Sequence, residues 1–94
     1  MAIEPFEGKT PKVHHSAWVH PAATLIGDVE IGAGSSVWPG AVLRADFGPI
    51  RVGERTSIQD NVVLHGAGEG VRVGDDCIVG HQAVVRFVRA PAAT

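Results

Sequence analysis

The stretch Val13-His14-His15-Ser16-Ala17-Trp18-Val19-His20-Pro21-Ala22-Ala23-Thr24-Leu25-Ile26-Gly27-Asp28-Val29-Glu30-Ile31 decides the fold. Every sixth residue in it is a large aliphatic: Val13, Val19, Leu25, Ile31. The same step continues to Val37 and Leu43, slips by three residues, and resumes at Val52, Ile58 and Leu64. After a second slip of three it resumes at Val73, Val79 and Val85. A helix needs apolar spacings of three and four, and an isolated strand needs two. Six is a multiple of two, so each repeat holds a short strand followed by a turn. Three repeats then close one triangular coil of 18 residues, with the aliphatic inside. Successive coils bury their aliphatics on one another, as solenoids do. Small residues before and after each aliphatic are expected at the corners. Gly32, Gly53 and Gly74 follow register aliphatics directly. With Gly27 beside the register, they are expected to supply positive-φ turns there.

The two slips fall near Phe47-Gly48-Pro49 and Gly66-Ala67-Gly68-Glu69-Gly70. They occupy the same place in successive coils, 21 residues apart, and therefore stack as loops at one corner. Loops on one edge of a rigid scaffold are where binding and catalytic groups concentrate. The register also creates columns. Arg44, His65 and Arg86 share one, and Pro39, Asp60 and His81 share another. Neighbouring strands lie about 4.8 Å apart, so residues in one column are neighbours in space. Arg44, Asp46, Gln59, Asp60, Asn61, His65 and His81 thus form an unusual polar set for a prism wall. His14, His15 and His20 precede the loop-bearing coils and read as surface residues. Trp18 and Trp38 read as packing residues on an outer face.

Composition excludes several classes. Eight Lys and Arg oppose ten Asp and Glu, with no basic stripe for nucleic acid. Lys9 and Lys12 are the only lysines, too few for a membrane-surface helix. Twelve glycines and six prolines oppose long helices. Residues 1–12 lack the pattern of a secretory signal, and no apolar run has transmembrane length. Cys77 stands alone, which predicts a small buried apolar residue and a cytoplasmic setting. The expected organisation is a lead-in over 1–12, a repeat domain over 13–85 and an aberrant tail over 86–94.

Three segments carry a family resemblance. Leu43-Arg44-Ala45-Asp46 followed by Ile50-Arg51-Val52-Gly53 resembles the R-x-D…I-x-[IV]-G segment of γ-class carbonic anhydrase-like proteins. Thr56-Ser57-Ile58-Gln59-Asp60-Asn61-Val62-Val63-Leu64-His65 is similar to their T-x-I-Q-D-N-x-x-[LV]-H segment. Val79-Gly80-His81-Gln82-Ala83-Val84-Val85 resembles their [IV]-G-H-x-A-x-[LV] segment. The resemblance implies an all-β, left-handed parallel β-helix of hexapeptide repeats. It also implies a homotrimer with zinc or iron at each subunit interface, held by three histidines from two chains. His65 from one chain and His81 from its neighbour would supply two of them. A divalent cation on neutral imidazoles leaves a position for water and brings that water's pKa toward neutrality. That chemistry hydrates carbon dioxide to bicarbonate. Arg44 and Asp46 would pair to organise the site, with Gln59 and Asp60 completing the catalytic set.

The sequence departs from that pattern. Arg86 stands where the third histidine is expected, and a guanidinium is a permanently charged donor that cannot ligate a metal. Phe47 stands where an acid that helps move protons is expected. The next register position is Pro91, and the glycines cease. The expectation is therefore four to five coils without the family's C-terminal coils and helix, from a truncated or frame-shifted reading. The resemblance to an enzyme and the missing ligand pull in opposite directions on catalysis. Weak hydration of carbon dioxide competes with a non-catalytic trimeric scaffold and with an acyl- or thioester-processing hexapeptide enzyme.

Overall fold

The computed structural model describes residues 2–86; the expectations about Pro91 and the rest of the tail lie outside the described residues. The described chain contains no helix. Its strands are β1 (Ala2–Glu4), β2 (Lys12–Val13), β3 (Trp18–Val19), β4 (Thr24–Ile31), β5 (Ser36–Val37) and β6 (Val42–Val52). They continue with β7 (Ser57–Ile58), β8 (Val63–Ala67), β9 (Val71–Val73), β10 (Ile78–Val79) and β11 (Val84–Arg86). All pairings between these strands are parallel. The architecture is the expected parallel β-helix, about four coils long.

The register matches the sequence period. One column runs Leu25, Leu43, Leu64, Val85. A second runs Val13, Ile31, Val52, Val73, and a third runs Val19, Val37, Ile58, Val79. Leu25, Leu43, Leu64, Val37 and Ile58 are completely buried. The lead-in contributes too, because β1 pairs with β4 and sets Ile3 opposite Leu25.

Two corner expectations are corrected. The residues two before each register aliphatic are not corner residues. Ala23, Ala41, Val62, Ser35 and Thr56 are buried. The side-chain period of a strand is two, so positions two apart share a face. These residues are small because they sit where the walls converge. Nor do Gly32, Gly53 and Gly74 have positive φ. A Cβ on Gly32 would lie 2.6 Å from the Gly53 carbonyl carbon, so coil-to-coil approach excludes a side chain there. The positive-φ columns are instead Gly34, Arg55, Asp76 and Gly40, Asn61, Gln82. Arg55 and Asp76 form a two-point ion pair there, with Nε to Oδ1 at 2.7 Å and Nη2 to Oδ2 at 3.1 Å. The Arg55 guanidinium holds the Asp76 carboxyl below its usual range.

A hydroxyl ladder crosses the core. Ser35 Oγ donates to the Gly53 carbonyl at 2.6 Å and accepts from Thr56 N at 3.0 Å. Thr56 Oγ1 donates to the Gly74 carbonyl at 2.6 Å and accepts from Cys77 N at 3.2 Å. Thr56→Val keeps the shape but strands a carbonyl and an amide. The expected loss is about 1–3 kcal/mol in urea unfolding. An unchanged midpoint would show that the ladder contributes nothing. Cys77 is half-buried on the same line and is a free thiol.

The insertions stack as expected, but the first is not a loop. Chain β6 stays extended through it for eleven residues. Its register against β4 jumps between Gly27 and Val29, and against β8 between Arg44 and Phe47. Side chains on Gly48 and Gly66 would run into the facing backbone of the other insertion. The two glycines thus let the two insertions nest. At the far end the core opens: Val85, in the column of the buried Leu25, Leu43 and Leu64, is 37% exposed.

Candidate functional site

Outward side chains next to the core leucines build the site. Arg44, His65 and Arg86 follow Leu43, Leu64 and Val85, and the ladder sets Arg44 beside His65 and His65 beside Arg86. Three backbones therefore present guanidinium, imidazole and guanidinium in a row. Asp46 closes the group from two residues along β6. Its Oδ1 lies 3.0 Å from His65 Nε2 and accepts from Phe47 N at 2.9 Å. Its Oδ2 lies 3.4 Å from Arg44 Nε. Arg44 Nη2 stands 3.1 Å from His65 Nε2 and 3.3 Å from Nδ1. The consistent assignment has Nε2–H donating to Asp46 and Nδ1 accepting from Arg44. Both ring nitrogens of His65 are thereby engaged within its own chain.

Partial desolvation pushes the Asp46 carboxyl up, but the hydrogen bonds from His65 and the Phe47 amide outweigh it and hold it below its usual range. Its folded pKa therefore lies below its unfolded value of about 4. The stability it contributes is present above that pH and is lost as pH falls through the folded value. Asp46→Asn is expected to lower stability at neutral pH and to flatten its decline between about pH 5 and pH 2. Thermal unfolding across that range checks this. Parallel acid profiles for the two proteins would contradict it.

The remaining expected residues are not in this group. His81 Nδ1 contacts Asp60 Oδ1 at 3.3 Å, and both are substantially exposed. Gln59 uses its backbone amide to donate to Val79 O at 3.0 Å. Among the described residues its side chain makes no hydrogen bond. Asn61 is a corner residue, with its amide donating to Pro39 O at 3.0 Å. Trp18 and Trp38 pack on each other, ring centroids 4.9 Å apart, as outer-face residues. His14 and His15 are exposed in a turn, where their rings stack at 4.2 Å. His20 Nδ1 accepts from Ala22 N at 2.9 Å and caps its turn.

Sequence reading missed Arg51. It spans Asp28 Oδ1 at 3.0 Å and Glu30 Oε2 at 2.8 Å. The register sets Glu30 beside Arg51, and that opposite-charge column was the available signal. Asp46 also faces a cleft of about 410 Å³ on its other side. Phe6 and Phe47 meet edge to face across it at 6.0 Å, and Lys9 pairs with Asp28 at 3.6 Å.

The residues present do not fit a three-histidine metal centre. The ladder position beside His65 holds the Arg86 guanidinium, a fixed positive charge. His65 is hydrogen-bonded to Asp46, and His81 contacts a different carboxylate, Asp60. No helix among the described residues is long and apolar enough to cross a membrane.

The chain matches the family described as bacterial transferase hexapeptide (six repeats) over residues 10–45. It is 45% identical over 84 residues to γ carbonic anhydrase 2, mitochondrial, of Arabidopsis thaliana, covering 82% of this chain and 30% of that protein. Carnitine operon protein CaiE of Escherichia coli is 43% identical over 86 residues, covering 90% of this chain and 44% of that protein. A hexapeptide transferase family protein from Anaplasma phagocytophilum superposes with a TM-score of 0.83 at 36% identity. That match covers 90% of this chain and 50% of the other. The chain spans less than half the length of both curated relatives. Repeat register, polar motifs and these likenesses agree: the chain is a hexapeptide-repeat β-helix, similar over most of its length to γ-class carbonic anhydrase-like proteins.

Proposed function

We propose that this chain serves as a non-catalytic, trimer-forming β-helix scaffold of the γ-class carbonic anhydrase-like family. The observation that carries this reading is the ladder pairing of Arg86 with His65. It sets a cation at the place where the family resemblance requires a ligand. Phe47, 71% exposed, offers no proton-moving group beside it. A second reading is favoured by the Arg44–Asp46–His65 cluster. In that reading a zinc- or iron-dependent trimer hydrates carbon dioxide, with His65 and His81 from neighbouring chains and Gln59 and Asp60 nearby.

Three measurements on the purified chain separate the readings: mass by sedimentation, zinc and iron content, and stopped-flow carbon dioxide hydration. The scaffold reading expects a trimeric mass, metal far below one per chain and no hydration above background. Stoichiometric metal with hydration would establish the enzyme instead. A monomeric mass would remove the scaffold reading.

A further inference from the structure

We propose that Arg44 and Arg86, with the His65 ring between them, form a binding site for a small oxyanion. The inference deepens the scaffold reading, since it assigns a ligand chemistry to the place where the metal does not fit. Three observations carry it. First, the parallel ladder puts the three residues on adjacent strands β6, β8 and β11, all projecting outward from one wall. Adjacent strands are about 4.8 Å apart, so the two guanidinium arms start roughly 10 Å apart and can converge over the intervening ring. Second, the charge is unbalanced. Asp46 lies 3.4 Å from Arg44 and offsets one positive charge. Among the described residues Arg86 has no carboxylate partner, so one positive charge remains unpaired beside the His65 ring. Third, Arg44 is already held in place. Asp46 takes its Nε, and His65 lies 3.1 Å from Nη2. The arm is therefore ordered before any ligand arrives, which reduces the entropy lost on binding.

A guanidinium presents planar paired donors that match carboxylate, carbonate and phosphate oxygens. These oxyanions share the required chemistry, and the experiment tells them apart. The His65 ring contributes its edge as the floor between the arms, with Nε2 turned to Asp46. The site is a binding site only, since no bond is made or broken there.

The test uses the full chain in buffer containing a chelator, so that adventitious metal cannot hold the anion. Inorganic phosphate, bicarbonate and acetate are titrated in turn while the His65 ring signals are followed by NMR. At least one should saturate with a dissociation constant on the order of 1 mM. Arg86→Ala should weaken that binding about tenfold without changing the circular dichroism spectrum. Arg72→Ala removes another exposed arginine, on β9, and should leave the binding unchanged. Linear, non-saturating shifts for all three anions would overturn the proposal. So would equal weakening by Arg72→Ala and Arg86→Ala, which would indicate bulk charge alone. Metal content and hydration, measured separately, report on the scaffold reading, so failure of either idea is visible without the other.

Discussion

Leu43→Ala is expected to bring the chain close to unfolding at room temperature. Leu43 is completely buried, and the ladder places it between Leu25 and Leu64 in the middle of its column. Truncation removes contacts to the coils above and below at once. A β-helix cannot relax into the resulting gap, because backbone hydrogen bonds on three walls hold the coil spacing. Buried Leu→Ala changes cost about 2–5 kcal/mol, and a rigid site falls in the upper half. Domains of this size are stable by about 5–15 kcal/mol in total. Urea unfolding should therefore show a large drop in midpoint. Val84→Ala provides the contrast: Val84 is 70% exposed on the last rung and should change stability by less than about 0.5 kcal/mol. Equal effects from the two changes would mean that the column does not carry the fold.

The second large effect is expected in metal affinity. Arg86→His replaces a guanidinium beside His65 with an imidazole at the same ladder position. Two things change together: a fixed positive charge leaves, and a ligand arrives. Two unit charges 4 Å apart at an effective dielectric of 20 interact by about 4 kcal/mol, and a divalent cation feels more. Zinc affinity, measured by competition with a chromogenic chelator, should rise on the order of a hundredfold or more. Arg86→Ala removes only the repulsion and should recover a smaller part of the gain. If Arg86→His binds no more zinc than the parent chain, the metal argument from the column fails. His65 also has to give up its bond to Asp46, 3.0 Å away, before its Nε2 can ligate. Asp46→Ala added to Arg86→His therefore indicates how strongly that bond restrains the ring.

Much of the fold was legible because a solenoid turns long-range contacts into a local period. Val13, Ile31, Val52 and Val73 touch in space because the chain repeats, and the two slips, equal and 21 residues apart, keep the columns aligned. The same arithmetic places Arg44, His65 and Arg86 in one column. Legibility failed where a residue's role depends on a neighbouring coil. Gly32 is required by the Gly53 carbonyl next to it, not by its own torsion angle. Thr56 is buried because Gly74 O and Cys77 N lie within reach of its hydroxyl. The first insertion looked like a loop from Gly48 and Pro49, yet β6 stays extended through it with β9 paired alongside.

The sequence by itself determined the period, the three inward columns, the position of both insertions and the column that Arg86 shares with Arg44 and His65. Each of these is a count along the chain, and stacking coils convert counts into neighbours. Only the tertiary structure decided how the polar groups divide. His65 pairs with Asp46 and Arg44, whereas His81 pairs with Asp60. Spacing puts side chains in the same row, but hydrogen-bond geometry and the torsion angles of the intervening backbone select the partner.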